Sequence, residues 1–326
     1  MNLEELKQRM RGVFTIVLTP FQGSEDIDYE GLRANLQYLL PKIEGKDFSL
    51  TACGSFSEFY AMSDEERKKV LEVVADEARG KLPLLAGTAC ASTRETINMC
   101  TYAESLGYNG AQIVLPFYFT PSEEGMYQHY KAICDAVGPD FGIQIYNNPH
   151  VAGCWVKPHL LKRISKIPKM ICDKENSTDV FAVRKLCRTI DPADMSIVEG
   201  MGEVLYSIVY TLGVKGLVSS LANVAPDLTY ELYQAGDKGD TAGVRKAMER
   251  ISLFFDFREK MNIKHGPSTG IAGNRSYLGL SVLKKSLQLL GLASGTKVRG
   301  PITEIDAQDV DELKGILGEM GLPLAK

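Results

Sequence analysis

No two cysteines of this chain stand in C-x-x-C spacing, no block of basic residues occurs in it, and no apolar run approaches the length of a membrane span. Each absence removes a class of function. The seven cysteines (Cys53, Cys90, Cys100, Cys134, Cys154, Cys172 and Cys187) are scattered and odd in number, which fits reduced thiols and not a disulfide framework or a zinc site. A net charge of −4 without a basic patch points away from nucleic acid and from anionic membrane surfaces. A spanning helix needs about 20 apolar residues, and none is present. The first eleven residues are charged, with a helical pattern, and lack the apolar core of a signal peptide, so the cytoplasm is the expected location. No G-x-G-x-x-G follows the first strand-like run and there is no P-loop, which argues against a doubly wound nucleotide-binding sheet. No His/Asp/Glu cluster has metal-ligand spacing, so no metal is expected.

What is present is an alternation. Short β-rich runs at 12–21, 48–53, 82–88, 110–116, 142–148, 168–174, 195–200 and 216–220 are each followed by a stretch of helical spacing. Ser63-Asp64-Glu65-Glu66 is a capping box, Ser92-Thr93-Arg94-Glu95 and Ser122-Glu123-Glu124-Gly125 open further helices, and Pro158 sits early in another. About eight strand-then-helix units, spaced by about 25–35 residues, predict a (β/α)8 TIM barrel over 1–236. After that the strands stop. Segments 240–261, 278–290 and 306–320 read as helices joined by Gly-rich connections, a C-terminal helical appendage over 237–326.

In such a barrel, chemistry sits where the strands end. The sixth run ends in Lys174-Glu175. A lysine closing a buried strand either reaches out to water or is held as a neutral amine by the cost of burying its charge, and the second suits Schiff-base chemistry. The fifth run ends in Tyr146-Asn147-Asn148-Pro149-His150, and the second in Gly54-Ser55-Phe56-Ser57-Glu58. A lysine, a tyrosine one strand away and a hydroxyl-rich Gly turn suit carbonyl chemistry: an amine to condense with a 2-oxo acid, a phenol to relay protons, and amides with a hydroxyl to hold a carboxylate.

These pieces, in this order, resemble the dihydrodipicolinate synthase / N-acetylneuraminate lyase family of Schiff-base barrels over nearly the whole chain. The matching segments are Thr19-Pro20-Phe21; Gly54-Ser55-x-x-Glu58; Ser63-x-x-Glu66-Arg67; Tyr118 with Pro121-Ser122-x-x-Gly125-x-Tyr127-x-His129-Tyr130; Tyr146-Asn147-x-Pro149; Lys174-Glu175; Gly213-x-x-Gly216; Ala222-Asn223; and Arg299-x-Pro301. The resemblance implies that Lys174 forms a Schiff base with pyruvate or another 2-oxo acid, with no cofactor. It implies that Tyr146, helped by Ser55, transfers protons, and that Ser55 and the Phe56 amide hold the pyruvate carboxylate. It further implies that Tyr118 from a neighbouring subunit completes the relay, making the protein a dimer or tetramer whose other partners are a small 2-oxo acid and an aldehyde.

The chain also departs from the family. Phe56 replaces a hydroxyl residue, and Val151 stands where the synthase branch carries a carboxylate-binding arginine. Gly202-Glu203 retains half of the lyase branch's acid pair. These departures argue against both named substrates and favour aldehydes with an apolar, aromatic or hydroxylated tail, with Phe56 and Val151 beside it. His150 is either a ligand for a second carboxylate or hydroxyl, or a solvent-facing loop residue. Glu203 and Ser220 bind substrate hydroxyls or belong to a helix cap or rim, and Glu175 is a partner of Lys174 or a loop acid. The expected reaction is carbon–carbon cleavage or formation, with dehydration of a 2-keto-3-deoxy sugar acid and dihydrodipicolinate synthesis as alternatives, and a catalytically silent binding barrel as a further one.

Overall fold

The computed structural model describes residues 1–265, 278–292 and 297–325. Eight parallel strands close into a barrel in chain order, β8 returning to β1. They are β1 (Gly12–Ile16), β2 (Phe48–Ala52), β3 (Leu84–Gly87), β4 (Gly110–Val114), β5 (Gly142–Asn147), β6 (Met170–Glu175), β7 (Ser196–Glu199) and β8 (Gly216–Ser219). Both faces of such strands are covered, which is why they read as short apolar runs and not as alternating ones.

Helix α1 (Leu3–Arg9) precedes β1, and α2 (Tyr29–Ile43), α3 (Asp64–Ala78), α4 (Thr93–Ser105) and α5 (Glu123–Ala136) follow β1 to β4. A short turn of helix, α6 (Pro149–Ala152), and then α7 (Pro158–Ile164) follow β5. The last barrel helices are α8 (Val180–Thr189), α9 (Glu203–Val209) and α10 (Pro226–Asp237). Then come α11 (Thr241–His265), α12 (Leu278–Leu289) and α13 (Ala307–Glu319), so the chain is a TIM barrel with a C-terminal helical region. The Gly-rich connections expected between these last helices fall largely in 266–277 and 293–296, outside the described residues.

Local chemistry sets the helix starts. The Ser63 hydroxyl accepts from the Glu66 amide at 3.2 Å while the Glu66 carboxylate accepts from the Ser63 amide at 2.8 Å. The Ser92 and Ser122 hydroxyls accept from the Glu95 and Gly125 amides at the starts of α4 and α5, and Pro158 and Pro226 occupy first turns, where a missing N–H costs nothing. The strands end close to where the sequence places them, except the first. The run 12–21 leaves the sheet after Ile16, because Pro20 has no N–H for a ladder. Phe21 instead makes antiparallel bridges to Ile27 and Lys297.

Two packing features position the site. At the N-terminal end of the barrel, Leu6 and Met10 pack on Phe14, Ile171 and Val198. Burying each of those two side chains contributes roughly 1.5–3 kcal/mol, and α1 thereby closes the end opposite the chemistry. On the outside, α11 packs against α9 and α10, and Ile251, Phe254 and Phe257 join the core beneath the barrel helices. Among the described residues no helix is long and apolar enough to cross a membrane.

Candidate active site

Lys174 lies near the C-terminal end of β6, level with Tyr146 on β5 and Val198 on β7. It is 3% exposed. Burial pushes its ammonium down to about 7, against the pull of Glu199 and Cys172, so near neutral pH about half of it is free amine. Among the described residues its Nζ has no hydrogen-bond or ion-pair partner. It sits 3.8 Å from the centroid of the Tyr146 ring. Of the two placements the sequence leaves open, the lysine is held inside and does not reach to water.

Tyr146 is buried, and burial raises its phenol above the ordinary range, while hydrogen bonds to Ser55 and Asn148 pull it back. The Asn148 side-chain amide donates to the phenol oxygen at 2.8 Å. These two neighbours favour the phenolate, and the burial opposes it. Ser55 is delivered by a tight turn after β2. Cys53 and Glu58 flank it at φ 54° and φ 61°, left-handed conformations that side chains rarely adopt. The turn is fixed from both sides. Ser57 donates to the Val17 carbonyl, and Glu58 accepts from the Lys284 ammonium of α12 and from the Arg299 amide. Gly87 underlies the turn: a Cβ there would lie 1.9 Å from the Cys53 carbonyl oxygen.

Asp173 and Glu175 alternate with Lys174 along β6 and so face away from it. Glu175 accepts from Trp155 Nε1 at 3.1–3.2 Å, Asn147 Nδ2 at 3.0 Å and the Ser177 amide at 2.7 Å. It ties β6 to the segment after β5 and is not hydrogen-bonded to Lys174. Glu199, the last residue of β7, is paired with Glu175, and its charge is the one that most favours the Lys174 ammonium. It accepts from the Met201 and Gly202 amides, and burial pushes its carboxyl well up despite them. Glu203 accepts from Ser219 and Thr229.

A cleft over Lys174 is lined by Phe56, Tyr146, Asn176, Glu203, Ser220 and the Gly200–Gly202 backbone, and also by Phe255 and Arg258 of α11. The structure therefore brings Lys174, Tyr146, Ser55, Phe56, Glu203 and Ser220 together. It does not bring His150 or Val151 into that lining; both lie on α6, where the Asn148 side chain accepts from their amides. Tyr118 is 81% exposed on the loop after β4, edge-on to the equally exposed Phe119 at 5.0 Å, and does not reach Lys174 within one chain.

Sequence reasoning missed Glu199, Asn148, Phe255 and Arg258. The first two adjoin recognised strand ends and were within reach. The others lie on a helix that reads as a surface element. Sequence spacing also hid His265, Asp306 and Asp309, whose ligand atoms lie within 4.8 Å of one another. The Lys264 ammonium already neutralises Asp309 at 2.8 Å, and the group contributes nothing to the Lys174 cleft.

The comparisons agree with this geometry. A family model described as the dihydrodipicolinate synthetase family matches residues 9–320. A 4-hydroxy-tetrahydrodipicolinate synthase of Archaeoglobus fulgidus is 33% identical over 311 residues, 95% of this chain and 98% of the relative. One of Methanospirillum hungatei is 30% identical, over 94% and 98%. The crystal structure of dihydrodipicolinate synthase from Aquifex aeolicus superposes with a TM-score of 0.83 at 25% identity, covering 97% of this chain and all of that one. With a matching family model over nearly its whole length, the chain belongs to the dihydrodipicolinate synthetase family and is a class I, Schiff-base-forming aldolase or lyase.

Proposed function

We propose that the protein makes or breaks the C3–C4 bond of a 2-oxo acid through a Schiff base on Lys174, with pyruvate as the common product or substrate. The observation that carries the reading is the lysine itself: buried, brought down to about 7 and set 3.8 Å from the Tyr146 ring centroid, with no acceptor among the described residues to hold its proton. The free amine attacks C2, and loss of water leaves an iminium that draws electrons from C3. In the cleavage direction Tyr146 takes the proton of the C4 hydroxyl, the C3–C4 pair moves onto C3 to form an enamine, and an aldehyde leaves. The enamine then takes a proton at C3, and water releases pyruvate and restores the amine. Ser55 and the Phe56 amide hold the carboxylate of the 2-oxo acid, and Asn148 keeps the Tyr146 oxygen aligned.

A second reading, 4-hydroxy-tetrahydrodipicolinate synthesis, is favoured by the names of the relatives, and Val151 in place of an arginine argues against it. The exposed Phe117, Tyr118 and Phe119 support assembly into at least a dimer, where Tyr118 would meet a neighbouring site. Seven unpaired thiols suit a reducing cytoplasm. The deciding experiment is borohydride reduction with pyruvate followed by intact mass and peptide mapping. An adduct on Lys174 is expected, and stoichiometric trapping that survives Lys174→Ala would overturn the reading.

A further inference from the structure

Position 151 carries no cation, but the cleft over Lys174 has one besides the lysine. Arg258 belongs to α11, outside the strands and loops that carry the other site residues, yet it lines the same cleft as Lys174. Its placement is built. The guanidinium stacks over Phe255, one turn earlier on the same helix, at 5.1 Å from the ring centroid. It lies against Gly279 of α12, where a Cβ would approach Nε and Nη2 to 2.9 Å, so any larger residue at 279 would displace it. Its Nε is buried and has no hydrogen-bond partner among the described residues, and no carboxylate there lies within ion-pair distance. Glu203 is the nearest acid to act on it, and that carboxylate is already engaged by Ser219 and Thr229.

A half-buried guanidinium that lines a cleft and has no bonded carboxylate among the described residues suits a planar anionic acceptor. We propose that Arg258 binds a carboxylate at the far end of the substrate, so that the site takes dicarboxylic adducts, with the 2-oxo acid end on Lys174 and the second carboxylate on Arg258. The inference rests on the Schiff-base reading of Lys174 and adds the substrate class to it. It also revises the expectation drawn from Val151. An anionic tail loses the loop arginine of the synthase branch but gains one from the C-terminal helices. Phe255 and Phe56 supply the apolar part of the same lining.

The test uses 2-oxo acids that form the adduct without needing the unknown aldehyde. Borohydride trapping is titrated with 2-oxoglutarate and 2-oxoadipate against 2-oxopentanoate and 2-oxohexanoate, which match them in chain length but lack the second carboxylate. Pyruvate serves as the reference for a competent site in every variant. The full-length protein is expected to reach half-saturation at a concentration tenfold or more lower for the diacids. Arg258→Gln is expected to remove that preference, and Arg258→Lys to keep part of it. If pyruvate itself is not trapped by the unaltered protein, the Schiff-base reading falls and this inference with it. If pyruvate is trapped but the diacids show no preference, or the preference survives Arg258→Gln, the assignment of Arg258 is wrong while Lys174 stands. A uniform weakening of diacids, monoacids and pyruvate in Arg258→Gln would place the guanidinium on the first carboxylate and also overturn the proposal.

Discussion

Among the described residues two lysines are buried, and they are held in different ways. Lys174 on β6 is 3% exposed and Lys284 on α12 is 1% exposed. Each stands over an aromatic ring, at 3.8 Å for Tyr146 and 4.3 Å for Phe21. They differ in what their protons meet. Lys284 donates to the Glu58 carboxylate and, at 2.8 Å, to the Lys297 carbonyl. Burial lowers it too, but Glu58 pulls it back and it remains at about 8, mostly charged at pH 7. Lys174 has no such acceptor among the described residues and lies at about 7. Burial alone does not make a nucleophile; burial without a bonded counter-charge does.

The largest expected effect separates the two by chemistry. Lys174→Ala should abolish both turnover and borohydride trapping, and Lys174→Arg should be equally inactive because a guanidinium does not lose its proton at this pH. Lys284→Ala should leave Lys174 as the trapped residue in whatever fraction remains folded, as peptide mapping would show. A label on Lys284 in the unaltered protein would erase the distinction.

Stability should move in opposite directions at the two sites. Lys284→Met leaves Glu58 buried and uncompensated, at a cost of about 3–5 kcal/mol in urea unfolding. Lys174→Met removes a charge that the fold holds at a loss. The folded chain releases that proton near 7, whereas an unfolded lysine keeps it to about 10.4. Between those values the unfolded state binds the extra proton, so this contribution to stability rises with pH across the window. The gain from Lys174→Met should therefore be greatest below pH 7, on the order of 4 kcal/mol, and shrink toward pH 10. Equal destabilisation by both substitutions would break the comparison.

A smaller effect reads the lysine directly. The rate of pyruvate adduct formation should climb about tenfold per pH unit below 7 and level off above it, following the free amine. A profile still rising steeply at pH 9 would show Lys174 as an ordinary charged lysine. Smallest is Tyr118→Phe, expected to lower turnover by roughly one to two orders of magnitude if the exposed tyrosine completes a neighbour's relay. An active monomer by light scattering would remove that role.

Much of this was legible in the chain. The strand-then-helix period predicts the barrel because each buried strand leaves an apolar run with little else to be. Lys174 and Tyr146 stand out because a strand end exposes residue type and position together. Glu199 goes unremarked because it lies inside the run 195–200, where it is read only as part of the strand. Arg258 was illegible for a deeper reason: its place in the cleft depends on how α11 lies across the barrel mouth and on Gly279 making room, and neither leaves a local signal. Val151 shows the converse. A missing side chain was visible, while its replacement in space was not.

The clamp on the Ser55 turn also sets an order of events during synthesis. Glu58 and Lys284 are 226 residues apart. At about 5–20 residues per second, the ribosome delivers the second roughly 10–45 seconds after the first. For the last part of that interval, after β8 ends at Ser219, all eight strands have been made while the turn beside Tyr146 still lacks its cation. The nascent barrel is thus a closed shell that has not yet armed its chemistry, and a chain released early, short of α12, carries the reactive lysine without the clamp that fixes the turn meant to hold its substrate.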